Sequence, residues 1–232
     1  MASNITAGLP AVLDETNPSI SLGAEYIAPD GRKYRFARAG AAALVVGNLL
    51  EGPAEDTGDQ GIAATTTAVD ATSMTTAAMT VTANQYAGGY VTVTVTPGLG
   101  TMYKIKSHAA YTAAAATFLL EEPIQVALTS ISRLDFVANP YNGVIQSPAT
   151  ATGPVVGVAV NNLAINGYGW IQTGGPCNVL ADAGGVTVGA AVSKSNATAG
   201  AVEVGVAGQA NIGYAMTGIA ASENGLVFLR LA

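Results

Sequence analysis

The residues of this chain that could take part in acid–base or nucleophilic chemistry are few. There is one histidine, His108, and one cysteine, Cys177. Nucleophilic catalysis needs a nucleophile beside a base, and a structural zinc site needs four ligands, usually His or Cys. We expect His108 to be a surface or capping residue at a strand end. We expect Cys177 to be a small buried thiol, because no basic residue lies within ten positions to lower its pKa.

The carboxylates offer no better candidate for catalysis. The adjacent acidic residues at 14–15 and at 121–122 are not an acid–base pair, because neighbours on a strand point to opposite faces and cannot act together. Glu55, Asp56 and Asp59 could hold calcium, yet they lack the alternating ligand pattern of an EF-hand loop, so a solvated loop is the preferred interpretation. Phosphate-binding glycine loops are also missing from the sequence. We therefore predict no catalytic residue, no metal site and no cofactor.

Aromatic residues are the strongest binding candidates. Tyr168, Trp170 and Gln172 alternate, so they share one face of a predicted strand. That face is consistent with stacking on a sugar, with a contact between subunits, where Tyr and Trp are enriched, or with core packing. Together with Tyr141 and Tyr214, Tyr168 and Trp170 are our candidates for subunit contacts.

Composition excludes several classes of protein. The chain has 232 residues, of which half are hydrophobic and only 10% are charged. This is too apolar for a disordered protein. Fifteen acidic residues against nine basic ones give a net charge of −6, the wrong sign for a nucleic-acid partner.

A membrane location is not expected either. Gly, Pro, Thr and Asn interrupt every apolar stretch, and 6% aromatic residues are too few for the girdles of an outer-membrane barrel. The first ten residues lack the pattern of a secretion signal. A hydrophobic, charge-poor chain of this kind commonly covers its apolar surface by assembling with copies of itself.

Period-two alternation predicts β-strands as the elements that position these residues. It is clearest at 33–37, at 88–98 and at 102–106, and Asp30-Gly31 is a hairpin turn signal. From residue 150 onward, short β runs recur about every ten residues between Gly, Asn and Pro. We predict a mainly β fold, with an extended N-terminal arm followed by small β-barrel or β-sandwich domains with Gly-rich turns.

The distribution of charge and turn residues suggests three parts. Residues 1–20 are predicted to be the arm. Residues 21–135 are predicted to form a first β-rich domain with an Ala/Thr-rich insertion at 62–80. Residues 136–232 are predicted to form a second β-rich barrel or sandwich domain, because residues 136–181 hold no charged residue at all and should be buried.

Several segments resemble a known family. Residues 30–53 (DGRKYRFARAGAAALVVGNLLEGP), 139–148, 154–180 and the closing 212–232 are similar to the accessory head proteins of tailed bacteriophages, the decoration or cement proteins of the capsid. The resemblance implies a mainly β protein, usually trimeric, on the outer surface of the virion. Its partners would be the major capsid protein and copies of itself, and the family offers no catalytic residue.

The preferred hypothesis is thus a structural virion protein that binds the capsid and stabilises it. The arm would contact the shell, and a basic segment would pair with acidic capsid surface. The candidate contacts are Ile5, Leu9, Val12, Arg32, Lys33, Arg35 and Arg38. The alternatives are a head-fibre or spike-like protein that binds a receptor or glycan, and a subunit that assembles its own shell or tube. We do not expect an enzyme.

Overall fold

The computed structural model describes residues 20–231, and this part of the chain is nearly all β. Strand makes up 47% of it and no α-helix occurs, which confirms the predicted mainly β fold. The first strands are β1 (Glu25–Ile27), β2 (Lys33–Ala39), β3 (Leu49–Glu51), β4 (Ile62–Ala63), β5 (Ser73–Val81), β6 (Tyr90–Val95), β7 (Met102–His108) and β8 (Tyr111–Leu120). The remaining strands are β9 (Arg133–Val137), β10 (Asn142–Gln146), β11 (Val155–Ala159), β12 (Tyr168–Leu180), β13 (Ala191–Lys194), β14 (Val202–Val204), β15 (Gly213–Ala215) and β16 (Asn224–Arg230). The predicted arm, with Ile5, Leu9 and Val12, lies outside the described residues.

The chain divides into two compact units, but not as predicted. One unit, here called the inserted unit, is Glu55–Asn139. The other, the flanking unit, comprises the described residues up to Ala54 and those from Pro140 onward. The proposed 21–135 domain is therefore corrected: residues 21–54 belong with the C-terminal part, because β2 and β3 pair with β10, β11 and β12.

The inserted unit is a six-stranded sheet in the order β4-β9-β6-β7-β8-β5. A bridge from Ala64 to Thr76 joins its two outer strands, so the sheet closes on itself. The barrel is filled by buried aromatic and aliphatic side chains, among them Tyr103, Phe118 and Phe136. The stretch 62–80, predicted as an insertion, supplies β4 and most of β5 and so belongs to the barrel.

The Ala-rich run at 109–117 has the strongest helical propensity in the sequence, yet most of it lies in β8. Its partner is β5, with Met74 opposite Phe118 and Ala78 opposite Ala115. Cross-strand pairing supplies more stability here than intrinsic helix propensity, which is worth only tenths of a kcal/mol per residue.

The flanking unit contains a ten-stranded sheet that forms two barrels. Strands β2, β10, β3, β11 and β12 close into a five-stranded first barrel, since β12 pairs with both β11 and β2. The second half of β12 pairs with β16, and the sheet continues through β15, β13 and β14. A bridge from Ala181 to Val202 returns β14 to the end of β12 and closes the second barrel. The two barrels thus share one long strand.

A bridge–turn motif occurs four times in the flanking unit. Leu44 bridges Leu163 in the first barrel, and Val186 bridges Ile219 in the second. Each bridge residue is followed three positions later by a residue with positive φ: Gly47 (85°), Asn166 (59°), Gly189 (79°) and Ser222 (60°). The backbone N–H groups of those four residues donate to the carbonyls of Ala159, Gly40, Ala215 and Asp182, respectively. The segment 41–50 contains the first copy and becomes strand only at Leu49.

Candidate functional site

Trp170 is a packing residue of the single chain. Its ring is 6% exposed and lies 5.3 Å from Phe36 and 5.8 Å from Tyr26, measured between ring centroids. Residues 20–28 cover this cluster on the outside of the first barrel. The prediction that Trp170 contacts a second subunit is therefore corrected: its own N-terminal hairpin leaves little surface free, and the core-packing alternative holds.

Tyr168 shares that face of β12 but stays half-exposed. It stacks on Phe36 at 6.1 Å with an interplanar angle of 16°, and the Arg38 guanidinium lies 5.9 Å from its centroid. Tyr141 is half-buried against the core of the first barrel, so it too is mainly a packing residue.

Tyr214 builds a similar arrangement on the second barrel. It stacks on Phe228 at 5.2 Å with an interplanar angle of 8°, because the two residues are directly opposite on β15 and β16. The Arg230 guanidinium lies 4.9 Å from the Tyr214 ring, within the range of a cation–π contact. Both barrels therefore carry a stacked aromatic pair beside an arginine.

Two of the four predicted capsid-binding bases are already paired with acids of their own chain. Arg32 forms an ion pair with Asp30 at 2.7 Å, and Arg35 forms one with Glu25 at 2.7 Å. Arg35 also donates to the Gly23 carbonyl at 2.9 Å. These contacts hold β1 and the Asp30 turn against β2, so Arg32 and Arg35 act first as positioning residues of the hairpin.

The other two bases have no carboxylate partner among the described residues. Arg38 donates to the Asn166 amide oxygen at 2.7 Å and to that of Asn142 at 3.4 Å. Lys33 faces an open cleft instead. The basic segment therefore leaves two positive charges available to a partner.

The cleft lies where β12 passes from one barrel to the other. Gly174 is paired with Lys33 of β2 on one side and with Arg230 of β16 on the other. An open space of about 260 Å³ lies at this position. It is lined by Gly31, Lys33, Gly174, Gly175, Phe228, Leu229 and Arg230.

Chemically, the cleft suits an anionic group. It joins an ammonium and a guanidinium across a glycine floor, and Arg offers a planar fork of donors to a carboxylate or phosphate. Sequence reasoning found Lys33 but missed Arg230 and Gly174. Alternation in the terminal LRL strand marks Arg230 as outward-facing, but no sequence signal places it beside Lys33.

A buried polar network lies in the inserted unit. The Tyr86 hydroxyl donates to Asp59 at 2.5 Å, and the Tyr86 backbone N–H donates to Nε2 of His108 at 3.0 Å. Nδ1 of His108 lies 2.9 Å from the Ala109 carbonyl, so the imidazole is neutral with its proton on Nδ1. Two predictions are corrected here: His108 does end a strand but is buried, and Asp59 is buried and not part of a solvated loop.

Burial dominates the pKa values of this network. It lowers the pKa of His108, against smaller opposing effects of the Ala109 carbonyl and the Asp59 charge. Burial likewise raises the pKa of Asp59, partly offset by the Tyr86 hydrogen bond. The pKa of Tyr86 is raised by burial and then by Asp59. The imidazole and the phenol therefore stay uncharged near neutral pH.

We expect the histidine to make the stability of the chain depend on pH. A folded-state pKa below the ordinary 6.5 means that the unfolded chain takes up the proton first, so stability present above pH 6.5 falls as the pH drops through the folded pKa. Because there is one histidine, its Cε1 proton gives a single NMR signal, whose midpoint we expect below 6.5. A midpoint at or above 6.5 would contradict the assignment.

The matched variant for that measurement is His108→Gln. It has no ionisable group at this position and leaves the contribution of Asp59 in place. The difference in unfolding temperature between wild type and variant should therefore shrink as the pH falls below 6.5. A constant difference from pH 8 to pH 5 would show that the imidazole does not titrate differently on unfolding.

Cys177 is confirmed as a buried thiol. It lies in the core of the second barrel at 4% exposure, and burial raises its pKa to about 12, slightly offset by Arg32. Thiolate is the reactive form of cysteine, so this residue is inert at neutral pH.

Neither a metal cluster nor a membrane-spanning helix is present in residues 20–231. No three His, Cys, Asp or Glu side chains there are grouped to hold an ion. No helix in the same range is long and apolar enough to cross a membrane.

Comparison with family models, curated proteins and solved structures yields no match to the chain. Fold and surface together define the class as an all-β protein of small barrels with a cationic, aromatic outer cleft.

Proposed function

We propose that this chain is a structural protein that binds the outer surface of a phage capsid and stabilises it, as a trimer. The observation that carries the proposal is the cationic cleft. In a protein of net charge −6, Lys33 and Arg230 line one cleft on either side of Gly174 and have no acidic partner among the described residues. Charge that is not neutralised within the chain is available to an acidic partner surface. The resemblance of residues 30–53, 139–148, 154–180 and 212–232 to capsid decoration proteins supports the same function.

The buried ionisable groups are consistent with a structural role and not with catalysis. Glu51 and Asp182 are held by hydroxyl and backbone N–H donors inside the flanking unit. Asp59 and His108 are engaged in the network around Tyr86. Each of the four contributes to packing of its own barrel, and none of them lines the cleft.

Exposed apolar side chains support self-association. Val45, Val46, Ile165 and Val188, all in the turns that follow the bridge residues, are between 46% and 68% exposed. Covering them would be favourable at roughly 25 cal/mol per Å² of buried apolar surface. Because such contacts carry no charge, we expect the trimer to persist when the salt concentration is raised.

The burial of Trp170 weakens the glycan-binding alternative. A stacking platform on β12 needs Trp170 to be open to solvent, whereas residues 20–28 cover it. Of Tyr168, Trp170 and Gln172, only Tyr168 is partly exposed. Assembly into closed shells or tubes remains an alternative result of the test below.

The proposal predicts that heads coated with the protein release their DNA at a higher temperature than uncoated heads. Binding across the seams between capsomers stabilises the closed shell by the binding free energy at each site, and many weak sites add. The measurement is DNA release on heating, followed with a dye that cannot enter intact heads. Equal release temperatures at saturating coverage would overturn the reinforcing role.

Two further measurements accompany that test. Deletion of residues 2–19, which include Ile5, Leu9 and Val12, should leave the barrels folded and weaken attachment to heads. Sedimentation of the purified full chain should give a discrete trimer at micromolar concentration. Closed shells or tubes would favour the shell-forming alternative, and a 23.1 kDa species alone would rule out the trimer.

A further inference from the structure

We infer that the cleft between Lys33 and Arg230 is a carboxylate-binding site, occupied by an Asp or Glu side chain of the protein surface on which the chain docks. The identity of that surface rests on the proposed function. The affinity of the cleft for a carboxylate does not, because it follows from the residues that line it.

The first step of the argument is the register of three strands. Lys33, Gly174 and Arg230 form one row across β2, β12 and β16. Residues directly opposite on neighbouring strands point to the same side of a sheet. Lys33 and Arg230 therefore flank the glycine on one face of the sheet.

The second step concerns the other charges nearby. Arg32 lies against Gly175 but is paired with Asp30 at 2.7 Å. Among residues 20–231, no carboxylate lies within 4.0 Å of Lys33 or Arg230. An anion in the cleft would be attracted by both positive charges. The site is thus arranged for a single negative group supplied from outside.

The third step is the preorganisation of Arg230. Its guanidinium lies against the Tyr214 ring, which is itself stacked on Phe228. Restricting the side chain before binding reduces the entropy lost when it contacts a carboxylate. The Tyr214–Phe228 pair is in this respect a positioning element for the arginine.

The fourth step is the size of the site. A space of about 260 Å³ accepts a carboxylate on a short aliphatic stem, which is the end of a Glu or Asp side chain. It lies at the lower limit of the volumes that hold drug-sized ligands, about 300–1,000 Å³. The acidic net charge of the chain also opposes the approach of a polyanion such as DNA.

The experiment is titration of the purified full chain with glutarate, followed by the amide NMR signals of Gly174 and Gly175. We expect saturable shifts with a Kd in the millimolar range, weakened by added NaCl. Lys33→Gln and Arg230→Gln should each weaken binding about tenfold, the effect of one charged hydrogen bond, and the double variant should abolish it.

Lys106→Gln is the matched control, because it removes the same charge from an exposed position on β7 of the inserted unit. It should leave the glutarate affinity unchanged. Trp170 fluorescence checks that each cleft variant keeps its fold. Shifts that are equal in wild type and double variant would overturn the site.

Two competitors test the chemical class of the occupant. Inorganic phosphate or a sialylated glycan that binds tenfold more tightly than glutarate would overturn the assignment to a protein carboxylate. Attachment to heads is measured separately with the same variants. If glutarate binding depends on Lys33 and Arg230 but no variant changes attachment, the carboxylate site stands and its role in docking is overturned.

Discussion

Glu51→Ala should lower the free energy of unfolding by about 3–5 kcal/mol, the loss expected when one member of a buried charged network is removed. Glu51 is fully buried. Its carboxylate accepts from the Ser147 hydroxyl at 2.7 Å and from the Thr152 and Gly153 backbone N–H groups at 3.0 and 3.1 Å. Lys194 Nζ lies 3.9 Å away. Alanine leaves the buried Ser147 hydroxyl without this acceptor and removes the acceptor of the Thr152 and Gly153 N–H groups.

The same network fixes the segment after β10 from both sides. Lys194 Nζ donates to the carbonyls of Pro148 and Ala149 at 2.6 and 2.7 Å, while Glu51 binds the backbone at Thr152 and Gly153. Loss of the carboxylate therefore frees the second end of this segment, at Thr152 and Gly153. We expect this segment to become accessible to proteases in the Glu51→Ala variant.

Urea unfolding followed by fluorescence measures the effect, because the single tryptophan lies in the same unit as Glu51. Glu51→Gln should show an intermediate loss, since it keeps one oxygen but adds N–H donors among existing donors. Glu223→Ala, which removes an exposed acid of the flanking unit, should change stability by less than about 0.5 kcal/mol. A Glu51 effect as small as that of Glu223 would show that the network contributes little.

Trp170→Ala should lower the free energy of unfolding by about 3–5 kcal/mol through loss of contacts and the cavity that remains. The ring packs against Tyr26 and Phe36, and Ala28 and Tyr34 complete the buried cluster. Removing it also loosens β1, which rests on this cluster. Trp170→Phe, which keeps an aromatic ring, should lose clearly less.

Protein concentration separates core packing from a subunit contact. If Trp170 is a core residue, the loss of stability in Trp170→Ala does not change when the protein concentration is raised 20-fold. Far-UV circular dichroism follows unfolding, because the variant has no tryptophan. A deficit confined to trimer dissociation, with monomer stability unchanged, would contradict the packing described here.

Local patterns in the sequence were sufficient for several strands and their faces, although not for β8, where the Ala-rich run favours a helix. Alternation at 88–98 and at 102–106 predicted β6 and β7. In β7, Tyr103 and Ile105 lie on the buried face of the strand and Lys104 lies on the exposed face. The turn at Asp30-Gly31 joins β1 to β2, with Gly31 at a φ of 86°. These features depend on a few neighbouring residues, since side chains alternate with a period of two along a strand. The burial of Cys177 was predictable for a comparable reason, as its surroundings in sequence are apolar and uncharged.

The grouping of strands was decided only by tertiary structure. β2 pairs with β10 and β12, which follow it by more than one hundred residues, so a division based on sequence order assigned residues 21–54 to the wrong unit. The four copies of the bridge–turn motif could not be predicted, because they share only an apolar bridge residue and a residue with positive φ three positions later. Such a signal is weak against a background rich in Gly, Ala and Val.

The sequence alone likewise did not determine which of these side chains are buried or which charges lie together. Alternation places an aromatic residue on one face of a strand, but it does not show whether solvent or the same chain covers that face. In the structure, residues 20–28 cover Trp170. From its acidic loop, Asp59 is expected to be solvated. In the structure, it accepts a hydrogen bond from the Tyr86 hydroxyl. Lys33 and Arg230 become one site only because Gly174 lies between them in the sheet. Strands pair through backbone hydrogen bonds, which do not depend on a recognisable side-chain pattern, and this pairing brings distant residues together. The residue pattern therefore determined the strands, whereas the pairing of the strands determined which residues form the site.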